Sequence, residues 1–311
     1  MKYKYLILLY LGIFSCTSQV KPVNEIKLSW ESYRNGKFDS EGIRLYSGKN
    51  TNLPLKAYYA EIDLNSSNID VEVVSSNDDD LKETPSEFSN RLDACLVVNG
   101  GYFLMNANPA KHVGLLKTKD STITPPLITI LRNGKRYYTT RGAVGFLNDT
   151  ADITWISGRE DTIFSFQNSL NNQRERLPKI LDFQKGIQWK IESAISGGPV
   201  IVQNKKIFIT SEEEVFFDTK IPNIHPRTAI GYTDNNILII LVVDGRQPSS
   251  RGVYLEELAQ IMVNLNCVEA LNLDGGGSSA LVVNNQLINK PSGMSMEREV
   301  MSAIAVTCYE H

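Results

Sequence analysis

At four places in this 311-residue chain an apolar run ends in a short polar residue that leads into glycine. Leu96-Val97-Val98 stops at Asn99-Gly100-Gly101, and Ala194-Ile195 stops at Ser196-Gly197-Gly198. Ile240-Leu241-Val242-Val243 stops at Asp244-Gly245-Arg246, and Leu271-Asn272-Leu273 stops at Asp274-Gly275-Gly276-Gly277-Ser278-Ser279. Each glycine forfeits side-chain burial and costs roughly 0.5–1 kcal/mol of backbone entropy relative to alanine, so a run of them implies a sharp turn or a close approach to the backbone. Successive N–H groups in such a turn can converge on an anion, and Ser278 and Ser279 would add donors for a phosphate or sugar oxygen. Taken alone, the last motif also fits a glycine-rich hairpin with solvated serines. The fourfold recurrence favours strands of one sheet delivering their ends to a common cleft.

The charged residues around these ends are Asp244 and Asp274, His225-Pro226-Arg227, Arg246 and, further on, Arg298. Arginine is the usual partner for bidentate recognition of phosphate or carboxylate, so beside a glycine nest these residues point to an anionic, phosphorylated ligand. The other reading, equally open from the residues, is that Arg227 and Arg246 form structural ion pairs with the two aspartates. His225 has no Gly-x-Ser-x-Gly elbow nearby, and the chain holds three histidines, so neither a hydrolase triad nor a multi-histidine metal centre is expected. No cofactor is implied. Tyr102 fits either a sugar-stacking ring or a core aromatic.

Positioning these residues requires a sheet. Ala57 to Leu64 and Ile69 to Val74 alternate like strands, and Asn133-Gly134, Gln203-Asn204, Asn235-Asn236 and Asn284-Asn285 mark hairpin turns. Thr84-Pro85-Ser86-Glu87 is a capping box opening a helix to about Leu92, and a second helix runs from Val253 to about Leu265. That second helix joins the strand ending at Asp244 to the one ending at Asp274. A crossover of this kind makes the two strands parallel and puts both carboxylates at one edge. Arg141-Gly142-Ala143-Val144-Gly145-Phe146 echoes Arg227-Thr228-Ala229-Ile230-Gly231-Tyr232, and Thr162 to Gln188 reads as an excursion from the sheet. The expected fold is α/β: one strand-rich mixed sheet with packed helices, in a single domain over residues 53–311.

Composition is that of a globular protein, 42% hydrophobic and 22% charged, and a net charge of −3 offers no basic field for nucleic acid. Residues 1–15 read as an export signal, with Lys2 and Lys4 ahead of an apolar core too short to span a bilayer of ~30 Å. Ile13-Phe14-Ser15-Cys16 resembles a bacterial lipobox, which makes Cys16 the lipidated first residue of a lipoprotein in the cell envelope, at the outer membrane. Cleavage without lipidation is the rival. Residues 16–52 are then a polar tether to the membrane. Cys95, Cys267 and Cys308 read as buried small hydrophobes, with one disulfide open to an exported protein.

Taken in order, Asn99-Gly-Gly-Tyr-Phe, Ser196-Gly-Gly-Pro, His225-Pro-Arg-Thr-Ala-Ile-Gly, Asp244-Gly-Arg-Gln-Pro, Leu255-Glu-Glu-Leu-Ala and Asn272-Leu-Asp-Gly-Gly-Gly-Ser-Ser resemble the phosphodiester glycosidase family. The resemblance runs from roughly Leu55 to Val306. It implies a pocket lined by Asn99, Gly100, Gly101, Tyr102, Ser196, Gly197, Gly198, His225, Arg227, Asp244, Arg246, Asp274 to Ser279, and Arg298. It also implies hydrolysis of a glycosyl phosphodiester with release of free sugar from an exported or surface glycan. Asp274 and Asp244 would be the catalytic carboxylates, nucleophile and base not being separable, and Arg227 and Arg246 would stabilise charge. The alternative is a surface lipoprotein that binds anionic glycans without cleaving them.

Overall fold

A computed structural model describes residues 26–33, 41–176, 179–294 and 296–309. The described residues are mostly β, with 42% strand and 9% helix, rather than the α/β mixture expected. Every ladder in the three large sheets is antiparallel, so the sheets are not mixed either. Helix α1 (Pro85–Leu92) carries the capping box read from Thr84 and Glu87, and helix α2 (Leu255–Asn264) lies within the second predicted span. Both cover outer faces of sheets: Phe88 of α1 packs with Val97 and Val282, and Leu258 and Met262 of α2 with Ala229 and Leu241.

The sheets have eight, seven and five strands, and a five-strand module recurs in all three. In the eight-stranded sheet it runs Ile237–Val243, Arg227–Tyr232, Glu269–Asn272, Val200–Gln203, Lys206–Ile207. In the seven-stranded sheet it runs Thr150–Arg159, Arg141–Leu147, Ser193–Ser196, Leu116–Lys117, Thr122–Thr124. In the five-stranded sheet it runs Ile69–Ser75, Ser302–Cys308, Leu96–Asn99, Leu281–Val283, Gln286–Leu287. Register makes the equivalence concrete, since Ala229 faces Asn272, Ala143 faces Ser196 and Ala303 faces Asn99. Beyond each of these pairs comes the same hydrogen bond of 2.9 Å: Leu273 N–H to Thr228 O, Gly197 N–H to Gly142 O, Gly100 N–H to Ser302 O. The Arg141/Arg227 echo is therefore two visible thirds of a threefold pattern.

Each glycine segment carries the chain out of one sheet into the next. After Asn99 it passes from the five-stranded to the seven-stranded sheet, after Ser196 to the eight-stranded sheet, and after Asn272 back to the five-stranded sheet. The inward faces enclose one core, with Ile62, Ile240 and Leu271 meeting Val144, Trp155 and Ile195, and Val98, Leu281 and Ile304. Ser29–Ser32 and Ile43–Lys49 extend the edge of the eight-stranded sheet, and Ile26, Ile43 and Leu45 are buried. The folded body thus reaches into the segment expected to be a tether. Thr162–Phe166, expected to leave the sheet, pairs with Thr150–Arg159. Cys95 and Cys308 form a disulfide that closes a separation of 213 residues, and Cys267 is free and buried. Cys16 and the export signal lie outside the described residues.

Candidate functional site

The three crossings meet, and their glycines are explained by how they meet. Gly198 N–H donates to Asn272 O at 2.7 Å, and Asp274 N–H donates to Gly100 O at 3.1 Å. A Cβ on Gly197 would lie 2.6 Å from Asn272 O, and one on Gly101 would collide with Ser196 O. Backbone packs on backbone here, so side chains are excluded at Gly101 and Gly197 by the crossing itself. The rim ends Asn99, Ser196 and Asp274 are brought together as expected.

Asn99 is fully buried and bolts this junction. Its Nδ2 donates to Asp274 O at 2.7 Å, and its Oδ1 accepts from Thr228 Oγ1 at 2.7 Å and from Ala280 N–H at 3.2 Å. Tyr102 is occupied similarly, its hydroxyl donating to Gly198 O and accepting from Asn272 Nδ2, each at 2.8 Å. Burial, and then the neighbouring Asp274, push the Tyr102 phenol well above its ordinary range, so it stays a donor. Ser196 Oγ accepts from Leu115 N–H. These side chains fix the shape of the site.

Asp274 follows the strand Glu269–Asn272 and is only partly exposed. Burial raises its carboxyl to about 6, against the opposing pull of the Ser278 hydroxyl, the Gly275 N–H and the Arg298 charge. Gly275 N–H donates to Oδ1 at 2.9 Å. The following turn is closed by guanidinium groups: a Cβ on Gly276 would lie 3.1 Å from Arg246 Nη2, and one on Gly277 would strike the Arg298 guanidinium. Gly276 also has a φ of 66°, which a side chain would strain. The triple glycine thus lets two cations sit against the backbone beside one carboxylate.

Arg246 is exposed and donates from Nη2 to His225 Nδ1 at 3.0 Å. That contact makes Nδ1 the acceptor, so Nε2 carries the proton donated to Lys220 O at 2.8 Å. Burial, with Arg227 and Arg246 close by, holds His225 below its ordinary value and therefore neutral near pH 7. Arg227 is different: 3% exposed, it donates Nε to Val253 O at 3.2 Å and Nη2 to Ile221 O at 2.7 Å and Asn223 O at 2.5 Å. Neither arginine is in an ion pair with Asp244 or Asp274 among the described residues. Arg227→Ala is expected to destabilise the fold by about 2–3 kcal/mol, since three charge-assisted bonds from a buried guanidinium to backbone carbonyls are lost, and Arg246→Ala by roughly 0.5 kcal/mol or less. Thermal denaturation of the two variants checks the contrast.

Asp244 does share the edge. Its strand is parallel to that of Asp274, although Arg227–Tyr232 lies between them as an antiparallel partner to both. The strand axes are therefore about 10 Å apart. The Asp244 carboxylate is 2% exposed, and its Oδ1 accepts from Asn289 Nδ2 and Lys290 N–H, each at 3.0 Å. Burial raises it to about 6, against the opposing pull of the Asn289 and Lys290 hydrogen bonds and the Lys56 charge. Asp244 therefore fastens the loop at Asn289 and Lys290. Asn289 and Glu214, a buried acceptor beside the Gly197–Gly198 crossing, were not legible as site residues because no local motif marks them.

Residues 93–307 match the family model for phosphodiester glycosidase. N-acetylglucosamine-1-phosphodiester alpha-N-acetylglucosaminidase of Bos taurus is 35% identical over 107 residues, which is 32% of this chain and 20% of that protein. The matched stretch thus spans about a fifth of that relative's length. The SPbeta prophage-derived protein YomE of Bacillus subtilis (strain 168) is 36% identical over 83 residues, 27% of this chain and 13% of that one. Among solved structures, the zebrafish N-acetylglucosamine-1-phosphodiester alpha-N-acetylglucosaminidase catalytic domain, auto-inhibited by its pro-peptide, superposes with a TM-score of 0.61 at 19% identity, covering 92% of this chain and 89% of that one. A Synechocystis protein superposes with a TM-score of 0.59 at 15% identity, covering 91% and 68%. At these identities the superpositions establish the fold.

Proposed function

The chain belongs to the phosphodiester glycosidase family, and from that premise we propose that it hydrolyses a glycosyl phosphodiester, releasing the free sugar from an exported or surface glycan. The observation that carries the reading is the carboxyl of Asp274 seated at a glycine turn against which Arg246 and Arg298 close. Breaking the bond between the anomeric carbon and a phosphate oxygen builds positive charge on carbon and negative charge on the departing phosphate. Two guanidinium groups and the turn serve the phosphate, and one carboxylate serves the carbon, by attack, by activating water or by electrostatic stabilisation. A phosphate monoester leaves as a stable anion, so strong general-acid help is not required. The neutral His225 holds the Arg246 guanidinium in place.

The test is release of free sugar from a synthetic N-acetylglucosaminyl phosphodiester, with a panel of other glycosyl phosphodiesters alongside. Turnover supports the reading. Saturable binding without turnover across the panel would replace it with a non-catalytic binder of anionic glycans.

We also propose that Cys16 is acylated and anchors the domain to a bacterial envelope. The Cys95–Cys308 disulfide supports an exported location, since such bonds persist in oxidising compartments. Cys16→Ala is expected to move the protein from the membrane fraction to the soluble one. Unchanged membrane association would overturn the anchor.

A further inference from the structure

Arg141 and Arg227 occupy equivalent positions, each two residues before the alanine that faces a rim strand. They use their donors differently. Arg227 donates to three backbone carbonyls. Arg141 is 8% exposed, its Nε is buried without a partner, and among the described residues its guanidinium makes neither a hydrogen bond nor an ion pair. A guanidinium so largely withdrawn from solvent is costly to leave without an acceptor, and a ligand that supplied one would offset that cost. Glu214 is near enough to favour the charge, yet its oxygens already accept from Gly142 N–H, Val200 N–H, Trp155 Nε1 and Thr210 Oγ1.

The location is the rim itself. The Arg141 guanidinium lies over the Phe216 ring, 3.7 Å from its centroid. Phe216 stands 6.1 Å from the Tyr102 ring, and its edge touches the space a Cβ on Gly198 would need. Tyr102 and Gly198 are in turn bonded to each other and to Asn272, two residues before Asp274.

We propose that Arg141 is a specificity-determining residue that binds the carboxylate of an acidic sugar, a hexuronic acid, in the ligand. This rests on reading the cleft as a sugar-binding site. The fork of a guanidinium matches a planar carboxylate, a neutral hydroxyl would leave the charge uncompensated, and the scissile phosphate already has Arg246 and Arg298.

The experiment is calorimetric binding of glucuronic acid, glucose 6-phosphate and glucose to the wild-type protein and to Arg141→Met and Arg141→Lys. Glucuronic acid is expected to bind about tenfold or more tighter than glucose to the wild type, a difference lost in Arg141→Met and largely lost in Arg141→Lys, which keeps the charge without the fork. Equal affinity for glucuronic acid in wild type and variants overturns the proposal, as does a wild-type preference for glucose 6-phosphate over glucuronic acid that Arg141→Met abolishes. If Arg141→Met does not fold, the Arg141→Lys arm decides. Free sugars are the probes, so a protein inactive on every glycosyl phosphodiester would refute the proposed activity and leave this test standing.

Discussion

Asp274→Asn is expected to lower kcat by about 10³-fold or more while changing KM by only a few-fold, and to raise the melting temperature at pH 7. The kinetic half follows from geometry. The amide keeps an oxygen for the Gly275 N–H and the same volume between Arg298 and Ser278, so the cleft is preserved. What is lost is a negative charge beside the reacting carbon, needed more in the transition state than in the bound substrate. The pH half follows from the carboxyl standing at about 6 in the folded protein against about 3.9 in an unfolded chain. Activity that needs the carboxylate rises with pH through about 6. Stability moves the other way: between about pH 4 and 6 the folded state binds more protons than the unfolded one, so rising pH costs stability, by on the order of 1–3 kcal/mol for a partly exposed group. Asn removes that cost, so the gain in melting temperature should be present at pH 7 and vanish near pH 4. Near-normal kcat in a folded variant would make Asp274 structural.

The local parts of this architecture were legible because local chemistry sets them. Thr84 and Glu87 cap α1 as their spacing predicts, and Asn133-Gly134 turns the hairpin between Thr129–Arg132 and Lys135–Tyr138. The rim ends were legible because strands that stop at a polar residue and glycine announce themselves. Their meaning was not. Gly101 and Gly197 read as ligand-cradling turns, whereas they let segments of the chain cross at backbone contact; among the described glycines Gly276 and Gly277 lie against guanidinium groups. The shared edge of Asp244 and Asp274 followed correctly from the α2 crossover, but the intervening antiparallel strand places the two carboxylates among separate partners. The third repeat was hidden because it is closed by distant segments, Leu96–Asn99 and Ser302–Cys308, with Met301 standing where the other two carry arginine. The same long-range closure hid the Cys95–Cys308 bond, since two cysteines inside apolar runs say nothing about each other.

Glu214→Ala is expected to be the most destabilising single substitution around the cleft, by about 3–5 kcal/mol, or on the order of 10 °C for a chain of this size. Glu214 is fully buried and occurs in no motif. Its Oε2 accepts from Gly142 N–H at 2.8 Å, and its Oε1 accepts from Val200 N–H at 2.9 Å, Trp155 Nε1 at 3.1 Å and Thr210 Oγ1 at 2.6 Å. Burial raises its carboxyl while these donors lower it, so the site is built around the oxygens whatever their charge. Alanine leaves the Gly142 N–H, the Val200 N–H and Trp155 Nε1 without this acceptor, the Thr210 hydroxyl keeping Val200 O at 3.2 Å, and opens space against Gly198, whose missing Cβ would have sat 2.6 Å from Oε2. Gly142 and Val200 flank the Gly197–Gly198 crossing, and Gly198 O holds the Tyr102 hydroxyl. Activity should therefore fall with stability in Glu214→Ala. Glu214→Gln separates the acceptor role from the charge: one amide oxygen still serves the Oε1 donors, while the amide nitrogen faces Gly142 N–H. An intermediate melting temperature between wild type and Glu214→Ala is the expected result. A melting temperature for Glu214→Ala within about 2 °C of wild type would show that these donors find other acceptors and that the buried carboxylate does not hold the crossing.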